Sequence, residues 1–166
     1  MIEQSPPDKN QNVLVDTSID KLLLLNLYNS KYKITQSQSQ WIKKFVYLSQ
    51  SLFKDIINKI HTLFPNKIEI FDLPLLIKII SEAYFEQACL IKMYDCDIII
   101  FFLQFTFDVS LDNKFFNIIE MDNKSDEINK MIITCISLLT ILNKPPEISW
   151  FGIITLYFNE LIEAST

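Results

Sequence analysis

The apolar positions of this chain recur mainly at steps of three and four, the spacing that aligns side chains on one face of an α-helix. The clearest run is TQSQSQWIKKFVYLSQSLFKDIINKIHTLFP, in which Trp41, Phe45, Leu48, Leu52, Ile56, Ile60 and Leu63 share one face. Lys43, Lys44, Lys54 and Asp55 fall largely elsewhere. Thr35, with Gln38 three residues on, has the pattern of a capping box, which satisfies the amides exposed at a helix start, and Pro65 closes the far end. The spacing predicts one long helix between these signals. Ile42, Val46, Phe53, Ile57 and Phe64 widen its stripe beyond a coiled-coil seam, so more than one neighbour is expected to pack on it.

Breakers and caps set out the other elements. Thr17 and Asp20 form a second capping-box pattern, predicting a helix over 18–29. Asp72 is placed to cap a helix over 73–93, with Pro74 in its first turn, where the missing donor costs little. Phe71 and Leu76 stand where a hydrophobic staple would hold its start. Ser110 predicts a short helix at 111–120. Ser125, followed by Asp126 and Glu127 at the positive end of the helix dipole, predicts another, running to Asn143. Pro145 and Pro146 stop it, and Ser149 can cap a last helix, WFGIITLYFNELIEA.

The stretch DIIIFFLQFTFDVSL, residues 97–111, fits none of these amphipathic patterns. A membrane-spanning helix needs about 20 mostly apolar residues, whereas residues 98–107 supply ten, closed by Asp97 and Asp108. The segments at 131–143 and 148–159 are also too short, so no transmembrane segment is predicted. Alternation over Leu103, Phe105, Phe107, Val109 and Leu111 admits a strand. The candidate strand partners, at 67–71, 32–34 and 12–15, are short and make a poor sheet. We therefore expect a helix over about 97–107, apolar on all sides and wrapped by amphipathic neighbours.

The resulting expectation is an all-α, single-domain bundle of about six to seven helices around an apolar central helix. The alternative is an α+β fold with a small sheet from 67–71 and 98–110. Residues 1–12, which carry adjacent prolines and no apolar run, read as a flexible tail rather than a signal peptide, with 13–166 as the helical domain.

Charge and composition remove several function classes. The net charge is −5 and all fifteen cationic residues are Lys, which disfavours nucleic-acid binding because Arg supplies the common bidentate contacts to phosphate and guanine. The single Gly, where average usage predicts about a dozen, excludes a P-loop or a dinucleotide fingerprint. Abundant Ile, Asn, Lys and Phe beside these gaps are what an AT-rich genome produces, such as that of a large DNA virus, a protist or a low-GC bacterium. Cys89, Cys96 and Cys135 form no CxxC pair and suit a reducing, cytoplasmic setting.

Catalytic and metal constellations are sparse. His61 is the one histidine, near a helix end, and reads as a boundary residue rather than a base. DNKSDE at 122–127 has Lys124 at a ligand position and Glu127 where a calcium loop needs Gly, so it reads as a capped loop before a helix. Glu82 and Glu86, four apart, lack an accompanying ExxH and read as a solvated face. No catalytic residue, cofactor or metal is expected, and the protein reads as a non-enzyme.

What remains is surplus apolar surface: 49% of residues are hydrophobic and 13% aromatic. Trp150, Phe151, Tyr157 and Phe158 are of types enriched in interface cores and are the candidate interface. Trp150 and Gly152 resemble the Trp-Gly pair of Bcl-2-like helical proteins, but Phe151 intervenes and the pair falls late in the chain, so no family is assigned on it. The expected function is a helical protein–protein interaction module, a homo-oligomer or a small subunit of a larger assembly such as a viral one. The alternative is a membrane-surface or lipid-binding helical protein, weakened by the acidic balance.

Overall fold

A computed structural model describes residues 18–116, 118 and 121–142. Among these the chain forms six α-helices: α1 (Ile19–Asn26), α2 (Gln36–Leu48), α3 (Gln50–Leu63), α4 (Leu73–Leu90), α5 (Cys96–Asp112) and α6 (Met121–Leu142). One-turn 3-10 helices stand at Ser30–Tyr32 and Ile70–Asp72. The all-α bundle is the observed fold. The expected tail at 1–12, Thr17 and the last helix after Pro146 lie outside the described residues.

The greasy stretch forms α5, and it is the central rod, packed by α1, α2, α4 and α6. Its buried residues are Ile99, Phe102, Leu103, Phe105, Thr106, Phe107, Val109, Ser110 and Leu111. At 100° per residue these cover an arc of about 240°. The expectation of a rod apolar all round is corrected by a polar strip, Gln104, Asp108 and Asp112, at steps of four on the remaining side. The helix is also longer than 97–107: it starts one residue earlier, with Asp95 as cap accepting from the Ile98 amide at 3.1 Å, and runs five residues further, to Asp112. The sheet alternative does not form: 98–110 is helical, and of 67–71 only Ile68 pairs, in an isolated parallel bridge with Ile118.

An aromatic cluster joins α2, α3, α4 and α5. Tyr84 stacks on Phe102 at 4.6 Å between ring centroids and meets Phe45 and Phe53 edge-on at 5.6 and 6.1 Å. Trp41 stacks on Phe45 at 4.9 Å, and its indole N–H donates to the Met93 carbonyl at 3.1 Å. Rings bury large areas and favour such offset and edge-on contacts. The buried hydrophobic side chains of all six helices, from Ile19 of α1 to Leu139 of α6, belong to one core cluster.

Several expected boundaries move. The predicted long helix is broken at Ser49 (φ −124°, ψ 29°) into α2 and α3. On a straight helix, residues 45 and 53 would be about 12 Å apart along the axis; the break brings their rings to 6.5 Å, both against Tyr84. In consequence Leu48 and Leu63 turn outward, 45% and 47% exposed, while Phe53 turns in. Thr35 and Gln38 do form the capping box, at 3.2 and 2.9 Å. Pro74 occupies the first turn of α4. Asp72 accepts from the Glu69 amide rather than from an α4 amide, and Phe71 stays 64% exposed and does not act as a staple. Ser110 lies inside α5 and Ser125 inside α6, so neither starts a helix. Among the described residues no helix is long and apolar enough to cross a membrane.

Candidate docking groove

Two chain reversals shape one end of the molecule. α5 ends in a Schellman motif, with the Lys114 amide bonded to Leu111 O at 3.1 Å and the Phe115 amide to Ser110 O at 2.8 Å. α3 ends where the Phe64 amide reaches Ile60 O at 2.8 Å, just before Pro65. The two following loops meet at the Ile68–Ile118 bridge. Between these loops, α3 and the start of α1 lies an open groove of about 1140 Å³.

The groove has an apolar floor and a cationic rim. Phe53, Ile60, Ile68 and Phe116 are buried beneath it, and Leu22, Ile57, Phe64 and Phe115 are half-buried in its walls. Exposed Lys54, Lys67, Lys114 and His61 stand around it, together with Gln50, Asn58, Asn66 and Asn113. Asp20 is its one acidic lining residue among the described residues. Walls of this kind offer burial to apolar side chains, while the lysines favour carboxylates at the edge.

A second, smaller cleft of about 400 Å³ runs along the polar strip of α5 against α6. Here Asp112 Oδ2 accepts from Lys31 Nζ and from Tyr32 OH, each at 2.5 Å. The Tyr32 ring stands edge-on to Phe105 at 5.2 Å. Partial burial pushes the Asp108 carboxyl up, with the charge of Asp112 adding to the effect and Lys31 opposing it. Burial also acts on Asp112, but the hydrogen bonds from Lys31 and Tyr32 outweigh it and hold that carboxyl below the usual range. Burial, helped by the two aspartates, raises the Tyr32 phenol well above its ordinary value. The arrangement ties the 3-10 turn after α1 to the central helix. It offers an ion pair at the surface rather than an array of convergent groups.

The expected interface residues Trp150, Phe151, Tyr157 and Phe158 lie outside the described residues, as does Gly152. His61 is exposed on the rim of the larger groove. Glu82 pairs with Lys78 at 3.8 Å, and Glu86 is exposed. Residues 122–127 belong to the first turns of α6, which corrects the loop expected there. No group of three or more His, Cys, Asp or Glu side chains suited to a metal occurs among the described residues. The three cysteines are free thiols: Cys89 exposed, Cys96 half-buried, and Cys135 buried, its thiol pushed up to about 12 by that burial.

Sequence reasoning missed both sites. The spacing of Asp108 and Asp112 was visible, but their partners Lys31 and Tyr32 lie some 80 positions away. The groove gathers Lys54, Lys67 and Lys114 from three separate stretches, and no local pattern announces such a ring. No family model, curated protein or solved structure matches this chain.

Proposed function

We propose that the protein is a non-enzymatic helical interaction module whose larger groove receives an acidic, apolar segment of a protein partner. The observation that carries this reading is the pairing of apolar walls, the half-buried Leu22, Ile57, Phe64 and Phe115, with the rim of Lys54, Lys67 and Lys114. Amphipathic segments dock by laying apolar anchors into a groove of this kind, and flanking charges set partner choice and encounter rate. A subunit of a larger assembly would use the same surface.

The test is binding of two labelled synthetic peptides to the full chain. One carries Leu and Glu at helical spacing, the other Leu and Lys. The Glu peptide is expected to bind, and the double substitution Lys54→Glu with Lys67→Glu to weaken it by about tenfold or more. Equal binding of both peptides, or of neither, defeats the proposal. A chain that ignores both peptides yet floats with phospholipid vesicles would move the groove to the membrane-surface reading.

A further inference from the structure

We infer that the resident occupant of this groove is the chain's own segment 154–163, so that an outside partner reaches the floor by displacing it. The inference rests on reading the groove as a docking site and adds what holds it in the free protein. The segment, ITLYFNELIE, is chemically complementary: it contains Glu160 and Glu163, no cation, and apolar residues that include Ile154, Phe158 and Leu161. The groove supplies apolar walls and a lysine rim, with Asp20 its one lining carboxylate among the described residues. Burying such a segment against the half-buried Leu22, Ile57, Phe64 and Phe115 removes apolar surface of both from water, and the glutamates then lie where the lysines concentrate positive charge.

The chain is long enough to make the connection within one molecule. Residues 113–116 line the groove, and Ile118, three residues before α6, is bridged to the lining residue Ile68, so the groove lies near the start of that helix and Leu142 at its far end. The return distance is therefore about 33 Å, the length of a helix of this size. Residues 143–153 can span up to about 36 Å when extended. That reach exceeds the distance and leaves residues 154–163 for the groove. The N-terminal residues begin nearer, since Ser18 itself lines the groove, but their apolar run, NVLV, is short and includes no aromatic ring.

Zero-length carbodiimide coupling of the full chain, read by mass spectrometry, tests the placement directly. A mixture of 15N-labelled and unlabelled protein separates couplings within one chain from those between chains. Lys31–Asp112 at 2.5 Å and Lys78–Glu82 at 3.8 Å are internal controls. Glu160 or Glu163 is expected to join Lys54, Lys67 or Lys114 in single-isotope products. Control couplings without any of these rim products overturn the inference. So do mixed-isotope rim products, which assign the groove to a second copy, and rim products from Glu3, Asp8 or Asp16, which assign it to the N-terminal residues.

A second measurement separates this inference from the docking reading beneath it. If the segment competes, Glu160→Lys with Glu163→Lys raises the affinity of the Leu–Glu peptide by about fivefold or more, because the open fraction rises. A peptide that binds equally to the native chain and this variant overturns self-occupation while leaving the docking groove standing. Rim couplings in a chain that binds no peptide would instead defeat the docking reading and keep the segment as resident.

Discussion

The hydroxyls of Tyr84 on α4 and Thr106 on α5 meet at 2.9 Å in the interior, where both side chains are buried. Thr106 Oγ1 already donates its single proton to the Phe102 carbonyl at 2.8 Å, so it must accept from Tyr84. This direction gives unequal mutational effects. Tyr84→Phe removes the donor and leaves Thr106 satisfied through Phe102, a loss of about 1 kcal/mol. Thr106→Val instead strands a phenol proton in the core, costing about 1–3 kcal/mol. Urea unfolding of the two variants should rank Thr106→Val as the more damaging, and the opposite order would show that the hydroxyls are oriented the other way.

Two serines on the core side have no such arrangement. Ser110 Oγ and Ser49 Oγ are buried without a hydrogen-bond partner among the described residues. Ser110 sits within the last turns of α5, where its hydroxyl gains nothing and Ala has the better helix propensity. Ser110→Ala is expected to stabilise the protein by about 1 kcal/mol, from propensity and relief of desolvation together. A lower urea midpoint for this variant would show that a bound water or a residue beyond those described engages the hydroxyl.

The shortage of glycine has a structural cost at helix ends. α4 closes in a Schellman motif, the Lys92 amide reaching Cys89 O at 3.2 Å and the Met93 amide reaching Ala88 O at 2.8 Å. The left-handed residue such a motif requires is Lys92, at φ 56°, and Lys33 and Lys114 stand in the same region at 48° and 51°. A side chain there costs about 1 kcal/mol or more relative to glycine. Lys92 is exposed, so Lys92→Gly should raise the thermal midpoint by a few degrees, in line with about 1 kcal/mol on a chain of this size. An unchanged or lowered midpoint would mean that the Lys92 side chain makes up the difference.

How much of this was legible follows from whether the signal is local. The Thr35–Gln38 box and Pro74 in the first turn of α4 are each fixed by residues within a few positions of one another, and each was readable. The break at Ser49 was not, because Leu48 and Leu52 continue the helical spacing across it, and the ring that Phe45 and Phe53 both meet on its two sides, Tyr84, lies more than thirty residues on. Ser110 and Ser125 misled for a related reason: a short polar side chain favours helix starts, yet a strong apolar helix running through the position overrides that preference. The groove depended on loops from two distant parts of the chain meeting at Ile68 and Ile118.

The two aspartates of α5 should set opposite slopes in the pH dependence of stability. Asp112, held low by Lys31 and Tyr32, contributes stability that is present above the ordinary carboxylate value of 3.8 and is lost as pH falls through its lower folded value. Asp108, held high first by burial and then by Asp112, does the reverse. Between 3.8 and its raised value the folded form binds the proton more readily than the unfolded chain, so stability falls as pH rises through that window and stays lower above it. Asp108→Asn should therefore be at least as stable as the native protein at neutral pH, and should lose the gain on mild acidification. Asp112→Asn should cost about 0.2–1 kcal/mol at neutral pH, since the pair with Lys31 is substantially exposed. It should also weaken the fall below 3.8 and, with its charge gone from beside Asp108, shift the upper window toward lower pH. Urea unfolding at closely spaced pH values from neutral to acid reads all three effects, and an Asp108→Asn variant that is less stable than the native protein at neutral pH would mean that the Asp108 charge is held by a partner outside the described residues.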